Sequence, residues 1–276
     1  MDKFVLGKEI IDLSTPKVMG ILNVTPDSFF DGGQYVSEVS IIERVHSMAR
    51  DGVDIIDIGA YSTRPGAIGV EEKEEIGRLT FAVELVRKYY PYMPISIDTF
   101  RASVAKEIYG CMGDVIINDI SGGTMDEKMF DFVVESGLPY VMMHIQGTPT
   151  TMQNNPQYAD VVQEVKQFLK ERVDYLNKYG YNNIILDPGF GFGKLLEHNY
   201  TLLKGMDELC DLQLPILVGV SRKSMIYRLL GCDAAMSLNG TTIINTLALT
   251  KGAKILRVHD VKEAVEAVHL YNAYCS

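Results

Sequence analysis

Apolar runs along this chain end, one after another, in a polar residue at the edge of a turn. MGILNV contains Asn23, VDIIDIGA leads into Ser62-Thr63-Arg64, PISID stops at Asp98, and DVIINDI carries Asn118 and Asp119. PYVMMHI carries His144, NNIILD stops at Asp187, PILVGV runs into Ser221-Arg222-Lys223, and AKILRVHD finishes with Arg257, His259 and Asp260. The runs show no strict inside-outside alternation, as expected of strands that helices bury on both faces. Eight such runs, separated mostly by helical stretches, predict a single α/β domain over residues 1–276, a (β/α)8 or TIM barrel. That fold assembles its active site from the loops at the C-terminal ends of the strands. The polar residues therefore fall where the fold places chemistry.

The segments between the runs fit helices. Val162, Val165, Leu169, Val173 and Leu176 step by three or four, an apolar stripe that should stop at Tyr179-Gly180. Val39, Ile42, Val45 and Ala49 predict the first helix, ending near Asp51-Gly52, and Thr99 is placed to cap the third. The opening FVLGKEIIDL reads as a short hairpin turning at Gly7-Lys8 and packing on the barrel's N-terminal face. Two strand-to-helix connections stand out by composition. Residues 25–33 are turn-rich yet hold the adjacent aromatics Phe29 and Phe30, and residues 61–67 hold Arg64 beside Pro65 and Gly66. Long loops on this face are commonly binding loops, although each also reads as a plain surface turn.

At 276 residues the chain suits one barrel, which typically needs about 250. A formal net charge of -10 argues against a general nucleic-acid or anionic-membrane surface, but not against a local cationic pocket. Cys111, Cys210, Cys232 and Cys275 are widely spaced without a CxxC pair, so neither a zinc knuckle nor a disulfide framework is expected. The start has no apolar signal core and no run approaches a membrane span, which makes a cytoplasmic protein without a membrane partner the expectation.

Asp98, Asn118 and Asp187 would converge in the mouth, where two carboxylates and an amide can read a flat heterocycle through its N–H donors and carbonyl acceptors. Each also suits a helix cap. Lys223, Arg257, His259 and Arg64 form a cationic complement that points to phosphate or diphosphate, unless ion pairs with Asp187, Asp260 and Asp119 consume them. Asn23 offers a neutral oxygen to a hydrated Mg²⁺ bound mainly by substrate phosphates, and reads equally as a turn residue. Gly189-Phe190-Gly191-Phe192-Gly193-Lys194 is not a phosphate loop, because Pro188 takes the first glycine position and Leu195 replaces the hydroxyl residue. It reads as a flexible turn that presents Phe190 or Phe192 to the mouth.

Taken together, MGILNVTPDSFFDGG (19–33), STRPGA (62–67), SIDT (96–99), INDISGG (117–123), MHIQGTPTTMQ (143–153), LDPGFGFGK (186–194), VGVSRKS (218–224) and RVHDV (257–261) closely resemble the dihydropteroate synthase family. The resemblance runs in order from the first barrel strand to the eighth. It implies condensation of 6-hydroxymethyl-7,8-dihydropterin diphosphate with p-aminobenzoate to give 7,8-dihydropteroate and diphosphate. By position it implies that Asp98, Asn118, Asp187 and Lys223 bind the pterin, with Met143, Phe192 and Gly219 shaping its pocket. It further implies Mg²⁺ at Asn23, diphosphate at Thr63, Arg257 and His259, and p-aminobenzoate among Phe29, Thr63, Arg64, Pro65, Lys223 and Ser224. The catalytic set so implied is Asp98, Asp187, Lys223, Arg257 and His259, in a homodimer formed through helices of the C-terminal half. Two positions depart from the family pattern: Ala60-Tyr61 replaces its usual Gly-Glu, and Phe30 its usual small residue. The alternatives are a Schiff-base aldolase using Lys223, a pterin-dependent methyltransferase, or a non-catalytic pterin-binding relative. None of the three has a use for the whole set of cations and loop residues.

Overall fold

Strand β1 (Lys3–Leu6) turns at Gly7, whose φ is 61°, into the antiparallel β2 (Glu9–Asp12). This hairpin closes one end of the molecule, and its Phe4, with Leu13 beyond it, enters the lumen beneath the barrel strands. There they meet Met19, Ile55, Ile116, Val141, Ile185, Leu217 and Ile255, one residue from nearly every strand. The computed structural model describes residues 2–25, 37–61 and 70–276.

The barrel strands are β3 (Lys17–Asn23), β4 (Ile55–Gly59), β5 (Ile95–Asp98), β6 (Ile116–Asp119), β7 (Tyr140–Met143), β8 (Ile184–Asp187), β9 (Ile216–Val218) and β10 (Ala253–Val258). All pair in parallel and close as β10-β3-β4-β5-β6-β7-β8-β9, the architecture expected from the sequence. The helices between them are α1 (Glu38–Arg50), α2 (Glu72–Tyr89), α3 (Ala102–Met112), α4 (Lys128–Ser136), α5 (Val161–Asn177), α6 (Leu196–Lys204), α7 (Ser224–Leu230), α8 (Leu238–Thr250) and α9 (Val261–Cys275). Outward-facing strand residues such as Ile56, Ile58 and Ile97 pack with helical residues such as Val45, Leu79 and Val104 in the main core. The lumen is thus apolar and plugged at its base, and its polar groups lie at the top. That gradient places the site.

The α5 stripe is buried as expected, and Asp160 caps this helix by accepting from Val162 N and Gln163 N at 3.0 and 3.1 Å. Such a cap contributes about 1 kcal/mol. Two local expectations are corrected. In α1 the buried face is Ile41, Val45 and Met48, while Val39 is exposed. Thr99 does not cap α3: its hydroxyl donates to buried Glu75 at 2.6 Å, and Asp126 accepts from the first helical amide, Ala102 N, at 2.7 Å. A tertiary carboxylate has displaced the local cap.

Candidate active site

Register brings the polar strand ends together. Asn23 pairs with Gly59, Gly59 with Asp98 and Asp98 with Asn118, so three of the expected residues lie on one rung across four adjacent strands. Met143 and Asp187 are register partners across β7 and β8. Arg257 rises from β10, and Lys223 follows β9 as the residue just before α7, whose first residue is Ser224.

One residue absent from the sequence expectations organises this rung. Asp57, in the middle of β4, is 0% exposed, and its carboxylate oxygens both accept from the Asn118 amide at 3.2 Å. Arg257 donates from Nε to Asp57 at 2.7 Å and from Nη2 to Asp98 at 2.8 Å. A carboxylate inside the run IIDIG needs a buried partner, and that was the available sequence signal. Burial alone would pull the guanidinium down, but Asp57 and Asp98 reverse this and hold Arg257 well above its ordinary value. Burial pushes the Asp98 carboxyl up to about 7, against the opposing charge of Arg257. Neither Asp98 nor Asn118 caps a helix.

Across the mouth, Lys223 donates to the Phe190 carbonyl at 2.6 Å, and its ammonium lies 4.5 Å from the centre of the Phe192 ring. Burial lowers Lys223 to about 8, while Asp187 acts in the other direction. The Asp187 carboxyl is raised by burial and accepts from Gly189 N at 2.7 Å. Phe192 packs against an apolar wall of Phe100, Ile120, Met143, Ile145 and Met152. Phe190 is fully buried in the main core, so of the two aromatics only Phe192 faces the mouth. A Cβ on Gly219 would sit 3.8 Å from both Lys223 Nζ and Arg257 Cβ, which is ordinary contact. This glycine leaves open space between the two cations.

His259 is held by its backbone, with its N–H on Ser221 Oγ at 3.1 Å and its carbonyl accepting from Arg44. Burial, with Arg257 close by, lowers its imidazole to about 4, so it is neutral at pH 7. Arg222 pairs with Asp260 at 2.8 Å, and Asp119 serves the turn at Ser121 and Gly123 and the Tyr140 hydroxyl. Neither consumes a cation of the mouth. Phe29, Phe30, Thr63, Arg64 and Pro65 lie outside the described residues.

A buried, cation-bridged set of carboxylates beside an apolar wall, with a lysine opposite, is suited to a polar planar ring and an anionic leaving group. The model of the pterin binding enzyme family matches residues 19–259, spanning every strand of this mouth. The dihydropteroate synthase of Escherichia coli (strain K12) is 44% identical over 268 residues, covering 96% of this chain and 94% of that one. The Yersinia pestis dihydropteroate synthase, solved with a sulfonamide drug complex, superposes with a TM-score of 0.91 at 40% identity, covering 99% of both chains. The Xanthomonas albilineans enzyme in complex with 7,8-dihydropteroate gives 0.88 at 34% identity, again covering 99% of both. The chain belongs to the dihydropteroate synthase family. Members are transferases of folate synthesis.

Against the family pattern, the Ala60-Tyr61 departure is a structural anchor. The Tyr61 ring packs edge-on against Phe100 with centroids 5.2 Å apart, and the Arg101 guanidinium lies 5.4 Å from its centre. Arg101 also donates to the Val70 carbonyl at 3.0 Å and pairs with buried Glu75. Both flanks of residues 62–69 are therefore fixed to the residue that follows Phe100.

The dihydropteroate synthase family uses Mg²⁺ in general. Asn23 Oδ1 lies 3.3 Å from where a Cβ on Gly59 would be, on the same open side as Asp98 Oδ2 at 3.8 Å. No described residue engages the Asn23 side chain in a hydrogen bond. Among the described residues no group of three or more His, Cys, Asp or Glu could hold a metal ion. One free neutral oxygen suits a hydrated Mg²⁺ that arrives with a diphosphate, since Mg²⁺ keeps its waters and favours substrate phosphates.

Proposed function

We propose that the chain joins 6-hydroxymethyl-7,8-dihydropterin diphosphate to p-aminobenzoate, releasing 7,8-dihydropteroate and diphosphate. The observation that carries this reading is the Asp57–Arg257–Asp98 clamp with Asn118, set opposite Lys223 and Asp187. The substrate assignment draws on the product complex of the Xanthomonas albilineans relative.

In this reading Asp98, Asn118, Asp187 and Lys223 take the polar edge of the pterin, and Met143, Phe192 and Gly219 shape the space for its ring. The bond between the methylene carbon and the diphosphate oxygen breaks first, in an SN1-like step, and positive charge spreads into the pterin. Asp98 and Asp187 stabilise that charge. Negative charge gathers on the departing diphosphate, where Arg257 offers Nη1, which no described residue engages, and neutral His259 offers a hydrogen-bond donor. The arylamine nitrogen then forms the C–N bond and loses its proton to solvent. Asn23 would hold Mg²⁺, which supplies charge neutralisation at the diphosphate. Asp57, Asp98 and Asp187 offset Lys194, Lys223 and Arg257, leaving little net positive charge for an incoming anion, which supports a co-bound cation. By family position Phe29, Thr63, Arg64 and Pro65 join Lys223 and Ser224 around p-aminobenzoate, and Thr63 joins the diphosphate contacts. A sulfonamide would compete for the same place, as the drug complex of the Yersinia pestis relative supports.

The test is a continuous assay of diphosphate release. Release is expected to require p-aminobenzoate and to stop in excess chelator. Full turnover in chelator, with no metal retained by the protein, contradicts the Mg²⁺ assignment.

We also infer a homodimer through α7–α9, on whose outer side Leu229, Leu230, Ile243, Leu247, Leu270 and Tyr274 are exposed. Apolar faces of this kind mark protein contacts. Sedimentation is expected to give twice the 30.8 kDa chain mass, and a monomer at micromolar concentration contradicts the inference. A cytoplasmic setting is consistent with four free thiols, three of them exposed. No helix among the described residues is long and apolar enough to cross a membrane.

A further inference from the structure

The loop after β8 is built for close approach. Gly189, Gly191 and Gly193 have φ of 69°, 82° and 59°, a left-handed region that side-chain-bearing residues rarely adopt. A Cβ on Gly189 would lie 1.9 Å from the His144 carbonyl oxygen, and one on Gly193 2.5 Å from that of Gln146. The loop therefore rests directly on the backbone that follows β7. It is a fixed element, contrary to the flexible turn expected from its glycines.

One of its buried fixtures is Lys194. This side chain is 3% exposed, and its Nζ lies 2.8 Å from the Gly189 carbonyl, 3.1 Å from the Phe192 carbonyl and 2.9 Å from His144 Nδ1. Three acceptors surround the three N–H bonds of an ammonium, provided His144 carries its proton on Nε2. Burial, reinforced by Lys194, lowers His144 to about 2, so the imidazole is a neutral acceptor. Burial also draws Lys194 down to about 7, with Asp187 opposing.

Between the two pinned carbonyls lies Phe190. Its ring is fully buried in the main core, while its carbonyl accepts the 2.6 Å hydrogen bond from Lys223. Phe192, whose carbonyl Lys194 holds, lays its ring 4.5 Å from the same Lys223 ammonium. A Cβ on Gly191 would come 3.2 Å from Lys223 Cδ. The stem, the head and the ring beside the head of Lys223 are thus all set by one loop. Asn199, Gln153 and Tyr158 bond Gly191 and Gly193 of that loop, and Lys194 holds the carbonyls on either side of the Phe190–Gly191 segment.

We propose that Lys194, seated on His144, is a positioning residue: it fixes the Gly189–Gly193 loop so that the Phe190 carbonyl and the Phe192 ring hold Lys223 at the pterin pocket. The claim rests on the activity proposed above for its consequence in binding, but not for the geometry itself. Because Lys194 acts through Lys223, its removal should matter only while Lys223 is present. A merely structural lysine would weaken the protein equally in either background.

The test is calorimetric binding of 6-hydroxymethyl-7,8-dihydropterin diphosphate with Mg²⁺ to the wild type, Lys194→Met, Lys223→Met and the double variant. Lys194→Met is expected to weaken binding about tenfold alone and by less than about twofold in the Lys223→Met background. Normal binding by Lys194→Met, or a tenfold loss in both backgrounds, overturns the proposal. Should Lys194→Met not fold, His144→Leu, which leaves one ammonium hydrogen without its acceptor, is measured in the same two backgrounds. A smaller loss that again disappears with Lys223→Met is expected, and an equal loss in both overturns the proposal. A substrate-free readout separates this from the activity. The ¹⁵N resonance of Lys223 Nζ, assigned by its disappearance in Lys223→Met, should move in Lys194→Met, or in His144→Leu where that variant is the one that folds. An unchanged resonance overturns the proposal even if turnover is confirmed. If the wild type fails to bind the pterin diphosphate, the activity reading falls, and the resonance still decides whether Lys194 holds Lys223.

Discussion

Replacing Arg257 with methionine is expected to damage both the fold and the reaction. The side chain neutralises two carboxylates at once, Asp57 at 0% and Asp98 at 14% side-chain exposure. Removing one partner of a buried ion pair costs about 3–5 kcal/mol, because the remaining charge stays desolvated without compensation. For a chain of this size that corresponds to a fall in melting temperature of roughly 10 °C. Loss of a donor aimed at developing charge costs about 10²–10³ in rate, and Arg257 is assigned that role at the diphosphate. The two effects separate in the double variant. Arg257→Met combined with Asp57→Asn removes one stranded carboxylate, so it should recover much of the melting temperature and none of the turnover. An Arg257→Met protein with unchanged melting temperature and near-normal turnover would show that the clamp contributes neither stability nor catalysis.

Asp98→Asn is expected to cost about a hundredfold in kcat/KM, about 2.7 kcal/mol of transition-state stabilisation, with little loss of stability. The amide keeps the size of the side chain and an acceptor for Arg257, which also retains Asp57. What it loses is the negative charge proposed to face the pterin. The stability side follows from linkage. The folded carboxyl titrates near 7, above its unfolded value, so its contribution is fully present below the carboxylate range and is lost as pH rises through about 7. Asparagine cannot ionise, so at pH 8 the variant escapes that cost. In the wild type, kcat/KM should rise as Asp98 ionises through about 7 and fall as Lys223 deprotonates through about 8. Asp98→Asn should lose the acidic limb. A folded variant with the wild-type profile and turnover would remove Asp98 from the chemistry.

The barrel was legible because eight apolar runs each ended in polarity, and the parallel register then made those ends neighbours. Asn23, Asp98 and Asn118 fall on one rung for that reason. Asp57 was harder to see. It lies within an apolar run, and its partner Arg257 is 200 positions away, so the run signals a need for compensation without naming the source. Thr99 failed as a cap because capping rules see only neighbours in sequence, whereas Glu75 reaches it from α2. Lys194 looked like the end of a mismatched phosphate motif. Its role depends on the glycines folding back onto His144 and Gln146, a contact between loops that spacing does not encode. The turn at Gly7 and the α5 stripe, both governed by local geometry, were read without such loss.

This mouth is proposed to join a pterin methylene to an arylamine. The proposal is tested most directly by incubating the purified chain with 6-hydroxymethyl-7,8-dihydropterin diphosphate, p-aminobenzoate and Mg²⁺ and identifying the products by chromatography and mass spectrometry. The expected result is 7,8-dihydropteroate and diphosphate in equal amounts, over many turnovers. Recovery of unchanged substrates, or of diphosphate with no new carbon–nitrogen bond to p-aminobenzoate, contradicts it.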